Sequence, residues 1–320
     1  MRWGILGAAK IARTDVAPAI QLAKGAELVA VATRDAARAA PFVELAPGLR
    51  VHDSYDALLA DPDVDAVYIP LPNHLHVEWS HRAAQAGKHV LCEKPIALHA
   101  DEINQLIATR DATGKLIAEA FMVAHHPQWT LARDLLAQGA IGKLEHVDGC
   151  FTYTNRDLTN IRHSAMMGGG GLRDVGVYPC IATRMTTGLE PDRLRADIRA
   201  QNGVDIFARV WADFAGFTLS FYCGMMQARR QQMVFHGQDG WIALNAPFNG
   251  PGYGDCRVEW CDANGRITRE HFNAVNQYAL MIEAFGTSVK TGADFACPLE
   301  MSHGNQVMID AIFAAAAPQV

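Results

Sequence analysis

The first third of the chain has a rhythm that leaves few folds open to it. Short runs rich in β-formers, at residues 3–6, 28–31, 51–52, 66–69, 89–91 and 116–118, alternate with alanine-rich stretches at 10–23, 36–44, 54–59, 75–86 and 100–113. The stretches place apolar residues at helical spacing and the runs do not, so each strand, helix and next strand reads as a βαβ unit of a parallel sheet. Right-handed crossovers then predict a doubly wound Rossmann domain over residues 1–119. After Glu119 the texture changes. A helix near 127–136 precedes alternating strands at 144–153, 194–201, 206–214, 217–222 and 233–244. Asp262-Ala263-Asn264-Gly265, between 257–261 and 266–270, suits a hairpin turn, and helices near 277–285 and 302–316 close the chain. The expectation is α/β overall: the Rossmann unit, then an α+β domain over 120–320 with a large open mixed or antiparallel sheet. No repeat, low-complexity tract or long linker separates the two, so they are expected to pack directly around a cleft.

At 320 residues two domains are the natural size division. A net charge of −6 with 19% charged residues leaves no polyanion-binding face, so nucleic acid is not expected as a partner. No apolar run approaches the roughly 18 residues of a membrane span, and Gly4 and Gly7 interrupt the amino terminus too early for a signal peptide. A cytoplasmic protein without membrane contact is the expectation. The seven cysteines are scattered without a Cys-x-x-Cys pair, and no two histidines stand at helical metal-ligand spacing, so no metal is expected.

Gly4-Ile5-Leu6-Gly7-Ala8-Ala9-Lys10-Ile11-Ala12 follows a strand and opens a helix, the setting in which helix amides meet a dinucleotide pyrophosphate. Gly7, Ala9, Lys10 and Ile11 are the candidate contacts. The motif is degenerate, because Ala9 and Ala12 take the second and third glycine positions of Gly-x-Gly-x-x-Gly. An ordinary βα turn is the competing reading. At the end of the second strand, where an NAD site carries an acid for the ribose, the chain reads Ala32-Thr33-Arg34-Asp35. Thr33 removes a carboxylate that would repel a 2′-phosphate, and Arg34 and Arg38 supply positive charge for it. NADP is therefore expected ahead of NAD, with Asp35 as the acid in the alternative.

Farther on comes Glu93-Lys94-Pro95, and here the chain resembles the glucose-fructose oxidoreductase/inositol dehydrogenase (Gfo/Idh/MocA) family. The likeness extends to Pro70 after the fourth strand, to Pro72-Asn73-His74-Leu75-His76, to Glu119-Ala120-Phe121-Met122, and to Gly168 through Pro179. It implies cofactor contacts at Pro70, Asn73, His76, Glu93 and Lys94. It also implies a Lys94 placed beside nicotinamide and substrate by a proline whose peptide is often cis in the family. In the Gly168–Pro179 signature, Asp174 and Tyr178 stand four residues apart, which on a helix gives both side chains one face. Inositol-oxidising members usually carry His where Tyr178 stands. The tyrosine resembles the branch with glucose-fructose oxidoreductase, dihydrodiol dehydrogenases and NADP-linked xylose dehydrogenases.

An ordinary tyrosine, with a pKa near ~10, is a poor base at neutral pH, but a nearby ammonium favours the phenolate. The expected division of labour gives proton exchange with the substrate to Tyr178, activation of that tyrosine and polarisation of the substrate oxygen to Lys94, and substrate orientation to Asp174. A polyol needs several polar contacts. His125, His126, Asn155, Arg156, Asp157, Asn160 and Arg162 offer them, although the loop from Thr152 to Ser164 also reads as plain solvated surface. His125, His126, Asn160, Arg162, Asp174 and Tyr178 form the expected substrate-binding set. Val123 and Ala124 depart from the Tyr and Arg that often follow the Phe-Met pair in related sequences. The function expected is hydride transfer between nicotinamide C4 and a hydroxyl or carbonyl carbon of a sugar or polyol. The alternatives are a dihydrodiol-type dehydrogenase, a non-catalytic NADP-binding regulator, and a glycosidase working through transient oxidation with held NAD. The resemblance further implies a homodimer or homotetramer built through the open sheet face, where residues 206–214 alternate in polarity.

Overall fold

The computed structural model of the protein describes residues 1–316. The described chain divides into two compact units, one of residues 1–125 and 276–303, the other of residues 126–275 and 304–316. Residues 276–303, expected in the second domain, thus pack with the first.

The first unit is built on strands β1 (Arg2–Leu6), β2 (Glu27–Ala32), β3 (Arg50–His52), β4 (Ala66–Ile69), β5 (His89–Cys92) and β6 (Ile117–Glu119), with helices α1 (Ala17–Leu22), α2 (Ala36–Leu45), α3 (Tyr55–Leu59), α4 (His76–Gln85) and α5 (Ala100–Thr113) between them. The strands order as β3-β2-β1-β4-β5-β6, all parallel. Strands buried on both faces need continuous apolar side chains, and Trp3, Ile5, Leu6, Val67, Tyr68, Ile69, Val90 and Leu91 are all fully buried. One core gathers Leu6, Val67, Val90 and Ile117 with Ile103 and Leu106 of α5. Elsewhere the Trp3 ring lies 5.1 Å from that of Phe285, on a later helix, which ties the 276–303 segment to this unit. The strand order reverses between β1 and β4, and ligands of such sheets bind beyond the carboxyl ends of the strands at that switch. The candidate cofactor segments follow the ends of β1, β2, β4 and β5.

The second unit holds α6 (Pro127–Ala137), β7 (Leu144–Thr154), α7 (Val177–Thr187), β8 (Pro191–Gln201), β9 (Val204–Phe214), β10 (Phe217–Gly224), β11 (Met226–Gly237), β12 (Trp241–Leu244), a short α8 (Gly250–Tyr253), β13 (Arg257–Cys261) and β14 (Ile267–His271). Helix α9 (Gln277–Thr291) belongs to the first unit, and α10 (Leu299–Ala315) contributes to both. The eight strands run β14-β13-β12-β11-β7-β10-β9-β8, antiparallel except for the β7–β10 pair, so the sheet is mixed. The expected single strand 233–244 is two. Gly237-Gln238-Asp239-Gly240 turns the chain back, with the Gly237 amide donating to the Gly240 carbonyl at 2.9 Å. The 262–265 hairpin turn is present: the Asp262 carboxylate accepts from the Asn264 and Arg266 amides, and Gly265 takes a left-handed φ of 74°. Among the described residues no helix is long and apolar enough to cross a membrane.

Candidate active site

In the first unit, β1 runs into Gly7, whose φ of 100° suits glycine and whose amide donates to the Ala32 carbonyl at 2.9 Å. A helix follows from Lys10, opened by a π-turn over Ala12–Val16 before α1. The two alanines at the degenerate glycine positions differ in their surroundings. Ala12 is fully buried in packing, while Ala9 is half-buried at the turn beside exposed Lys10 and half-buried Ile11. At the end of β2, the Thr33 hydroxyl accepts from the Asp35 amide, and the Asp35 carboxylate caps α2 by accepting from Ala37 at 3.0 Å. Asp35 is thereby engaged by its own helix. Arg34 is exposed, and Arg38 donates to the Ala8 carbonyl at 3.0 Å, which brings a second guanidinium against the glycine turn. These residues fit an adenine dinucleotide whose ribose carries a phosphate.

After β4 and β5 the picture is mixed. Pro70 is buried and Asn73 half-buried, at the start of a 3₁₀ turn. His76 departs from expectation: it is fully buried, and its two ring nitrogens lie 2.7 Å from the carbonyls of Pro95 and Leu71. Burial pushes its protonation down, and the two carbonyls push it up. It holds the protein to itself instead of meeting a cofactor. Glu93 accepts from the Tyr68 hydroxyl at 2.5 Å, and burial followed by the Glu93 charge pushes that phenol well above the tyrosine range. The Lys94–Pro95 peptide is cis, and Lys94 is half-buried.

Glu119, at the end of β6, carries no sign in the sequence of being a site residue. It is 3% exposed, and its carboxyl accepts from the Ile96 amide at 2.9 Å. Burial pushes it up to about 7, against the pull of Ser302, the Ile96 amide and the Lys94 ammonium. The folded chain therefore holds a proton that the unfolded chain releases between pH 4.5 and about 7. Stability from this group is complete below pH 4.5 and falls as pH rises through that window, by at most ~1.4 kcal/mol for each step of one in pH. Melting of Glu119→Gln against the native chain is expected to show little difference at acid pH and a growing advantage for the variant toward pH 8. A constant difference would rule this out.

In the second unit, Asp174 organises the site. Its Oδ2 accepts from Arg162 Nε at 2.7 Å and from the Tyr153 hydroxyl at 2.5 Å. The carboxylate holds the guanidinium well above its usual range, and burial, then Asp174, pushes the Tyr153 phenol up. Asp174 lies in a π-turn, Leu172–Gly176, that runs into α7, where Tyr178 stands. Arg162 joins the two residues: it is paired with Asp174 and interacts electrostatically with Tyr178. Tyr178 is 4% exposed, its ring 5.4 Å from that of Phe151 and 5.3 Å from that of Phe248.

The glycine run explains how Arg162 arrives there. A Cβ on Gly169 would run into the Arg162 backbone, and one on Gly170, at φ 117°, into the Asp205 carboxylate. Gly170 donates its amide to the Arg162 carbonyl at 3.0 Å, and buried Asp205 accepts from Leu172 at 2.6 Å. Asn160 is a local device, its side chain accepting from the Arg162 amide at 3.1 Å. Of the paired histidines, His126 is buried and His125 half-buried. His126 is 1% exposed, caps α6 by accepting from Gln128 and abuts the Phe272 ring. His125 belongs to the first unit, where its ring lies 4.8 Å from that of Phe295. Burial lowers both to about 4. Tyr153 and Asp205 escape a reading of the sequence, since neither has a partner at a readable spacing.

The chain resembles known proteins along most of its length. Residues 1–121 match the NAD-binding Rossmann domain of the Gfo/Idh/MocA oxidoreductases, and residues 129–243 match the C-terminal domain of the same family. An uncharacterized oxidoreductase of Rhizobium meliloti is 40% identical, covering 98% of this chain and 96% of its own. A D-xylose 1-dehydrogenase (NADP⁺) of Haloferax volcanii is 35% identical over 99% of this chain and 97% of its own. A 3-ketoreductase from Actinomadura kijaniata, solved with NADP and TDP-benzene, superposes with a TM-score of 0.90 at 33% identity, covering 99% of this chain and 98% of that one. The chain belongs to the Gfo/Idh/MocA family of oxidoreductases.

Proposed function

We propose that the protein is an NADP-preferring sugar or polyol oxidoreductase, with Tyr178 as the proton-transfer group and Lys94 as the group that polarises the reacting oxygen. The Asp174 cluster carries this reading: one carboxylate holds Arg162, which acts on Tyr178 electrostatically, and also engages Tyr153. A guanidinium near a phenol favours the phenolate, so part of the activation expected of Lys94 falls to Arg162. Asp174 keeps that guanidinium in place, and acts on the substrate through it. The apolar walls of Phe151 and Phe248 keep water from the phenol ring.

Gly7, Ala9, Lys10 and Ile11 would hold the pyrophosphate, Thr33, Arg34 and Arg38 the adenosine end, and Pro70, Asn73, Glu93 and Lys94 the nicotinamide side. When bound, the nicotinamide supplies hydride exchange at C4. Relatives acting on xylose or on a nucleotide-linked keto-sugar agree with a carbohydrate substrate. The test is a screen of pentoses, hexoses and inositols with NADP and NAD, alongside reduction of keto-sugars. The expected result is turnover of at least one carbohydrate with NADP favoured; NADPH binding without turnover of any would support a regulator instead.

We further assign assembly as a homodimer or homotetramer to the open sheet face, where Trp211 is 37% exposed and Arg209 lies 5.6 Å from its ring. Trp211→Glu is expected to lower the mass measured by light scattering to that of one chain. An unchanged mass would place the interface elsewhere.

A further inference from the structure

We propose that His76 and Glu119 are positioning residues that fix Lys94 by gripping the Pro95–Ile96 peptide at its two ends. The carbonyl oxygen of that peptide lies 2.7 Å from His76 Nδ1, and its amide donates to Glu119 Oε1 at 2.9 Å. Both atoms belong to one planar group, so bonds at its opposite edges fix how the plane is turned. Pro95 itself has no amide hydrogen, which makes Ile96 the first donor after Lys94.

The grip is anchored in the sheet on both sides. His76 opens α4, and its other nitrogen faces the Leu71 carbonyl at 2.7 Å, just beyond β4. Glu119 ends β6 and is engaged further by Ser302 of α10. A carbonyl oxygen can only accept, and burial disfavours a charged ring, which leaves one N–H; the grip is made by the tautomer that carries it on Nδ1 and donates to Pro95. Unlike a cofactor contact, neither side chain has surface to offer, with exposures of 0% and 3%. Both lie close enough to the Lys94 ammonium to feel its charge. On the other side of Lys94 the Glu93 carboxylate accepts from the Tyr68 hydroxyl and, at 3.3 Å, from the Lys94 amide, so His76 and Glu119 set the backbone that follows Lys94 and Glu93 the backbone that precedes it.

This inference rests on Lys94 being catalytic, and the experiment keeps the two apart. Glu119→Met removes the acceptor at similar volume, Glu119→Gln keeps an acceptor oxygen, and His76→Gln replaces the rigid ring that aims its donor at Pro95 with a flexible amide. Each is compared with Lys94→Ala in NADP-linked oxidation of the carbohydrate that turns over fastest in the screen. The rate of Lys94 acetylation is also read by mass spectrometry against exposed Lys143, which needs no substrate. Displacing a reacting group by about an ångström costs on the order of a hundredfold, so Glu119→Met and His76→Gln are expected to lower kcat about tenfold to a hundredfold. KM for NADP should hold, Glu119→Gln should recover most of the rate, and Lys94 acetylation should change several-fold in Glu119→Met. If Lys94→Ala is inactive while Glu119→Met and His76→Gln keep native kcat and native acetylation, the grip is overturned and the role of Lys94 stands. If Lys94→Ala keeps native kcat, the catalytic reading falls, and with it the positioning role.

Discussion

Tyr178→Phe is expected to lower kcat by roughly 10²–10⁴-fold, the usual contribution of a positioned proton-transfer group. The substitution removes one hydroxyl and keeps the ring that packs against Phe151 and Phe248, so the melting temperature should stay close to native. NADPH affinity, read by fluorescence, should also hold. The proton that the substrate hydroxyl loses on oxidation then has no phenolate to receive it. Arg162→Lys should give a milder loss, since it keeps a charge but gives up the planar fork that reaches Asp174. A Tyr178→Phe enzyme with native turnover would move proton transfer to another residue.

Cofactor choice is the next most sensitive property. Arg34→Ala is expected to reduce kcat/KM for NADP by about tenfold to a hundredfold, the equivalent of one charge-assisted hydrogen bond to phosphate. Efficiency with NAD should change little. The structural reason is that the first acid after β2, Asp35, is committed to capping α2, while Arg34 is exposed and Arg38 is tied to the glycine turn. Equal losses with both cofactors would mean that Arg34 serves adenine or the fold, not a 2′-phosphate.

Much of this architecture is legible in the letters. The alternation of short β-rich runs with helical stretches locates the parallel strands, and fully buried ones such as β4, Ala66–Ile69, are apolar throughout. Lys94 and Asp174 stand in motifs short enough to be read in a line. What the letters hide is direction and distance. His76 sits in a segment that resembles a cofactor-contacting turn, yet at the first position of α4 its ring points inward to two carbonyls. His126 likewise uses its side chain as a helix cap. Tyr153 and Asp174 are 21 residues apart and meet only because β7 and the π-turn converge, and no local pattern announces that. The break at 238–240 is readable from its glycine and aspartate, but the apolar residues on either side mask it. Residues 276–303 join the first unit because Phe285 packs on Trp3, a contact between chain ends that periodicity cannot express.

The proposed hydride transfer between a sugar carbon and nicotinamide C4, with Tyr178 and Lys94 in the roles proposed for them, should leave an isotopic trace. Incubating the protein with NADP and the carbohydrate that turns over in the screen, deuterated at its reacting carbon, then locating the label by mass spectrometry and NMR, reads that trace. Deuterium is expected on C4 of the reduced nicotinamide, on one face only, with little or none from Tyr178→Phe or Lys94→Ala. Reduced cofactor without deuterium would refute direct transfer, and equal labelling by both variants would refute the roles given to these two residues.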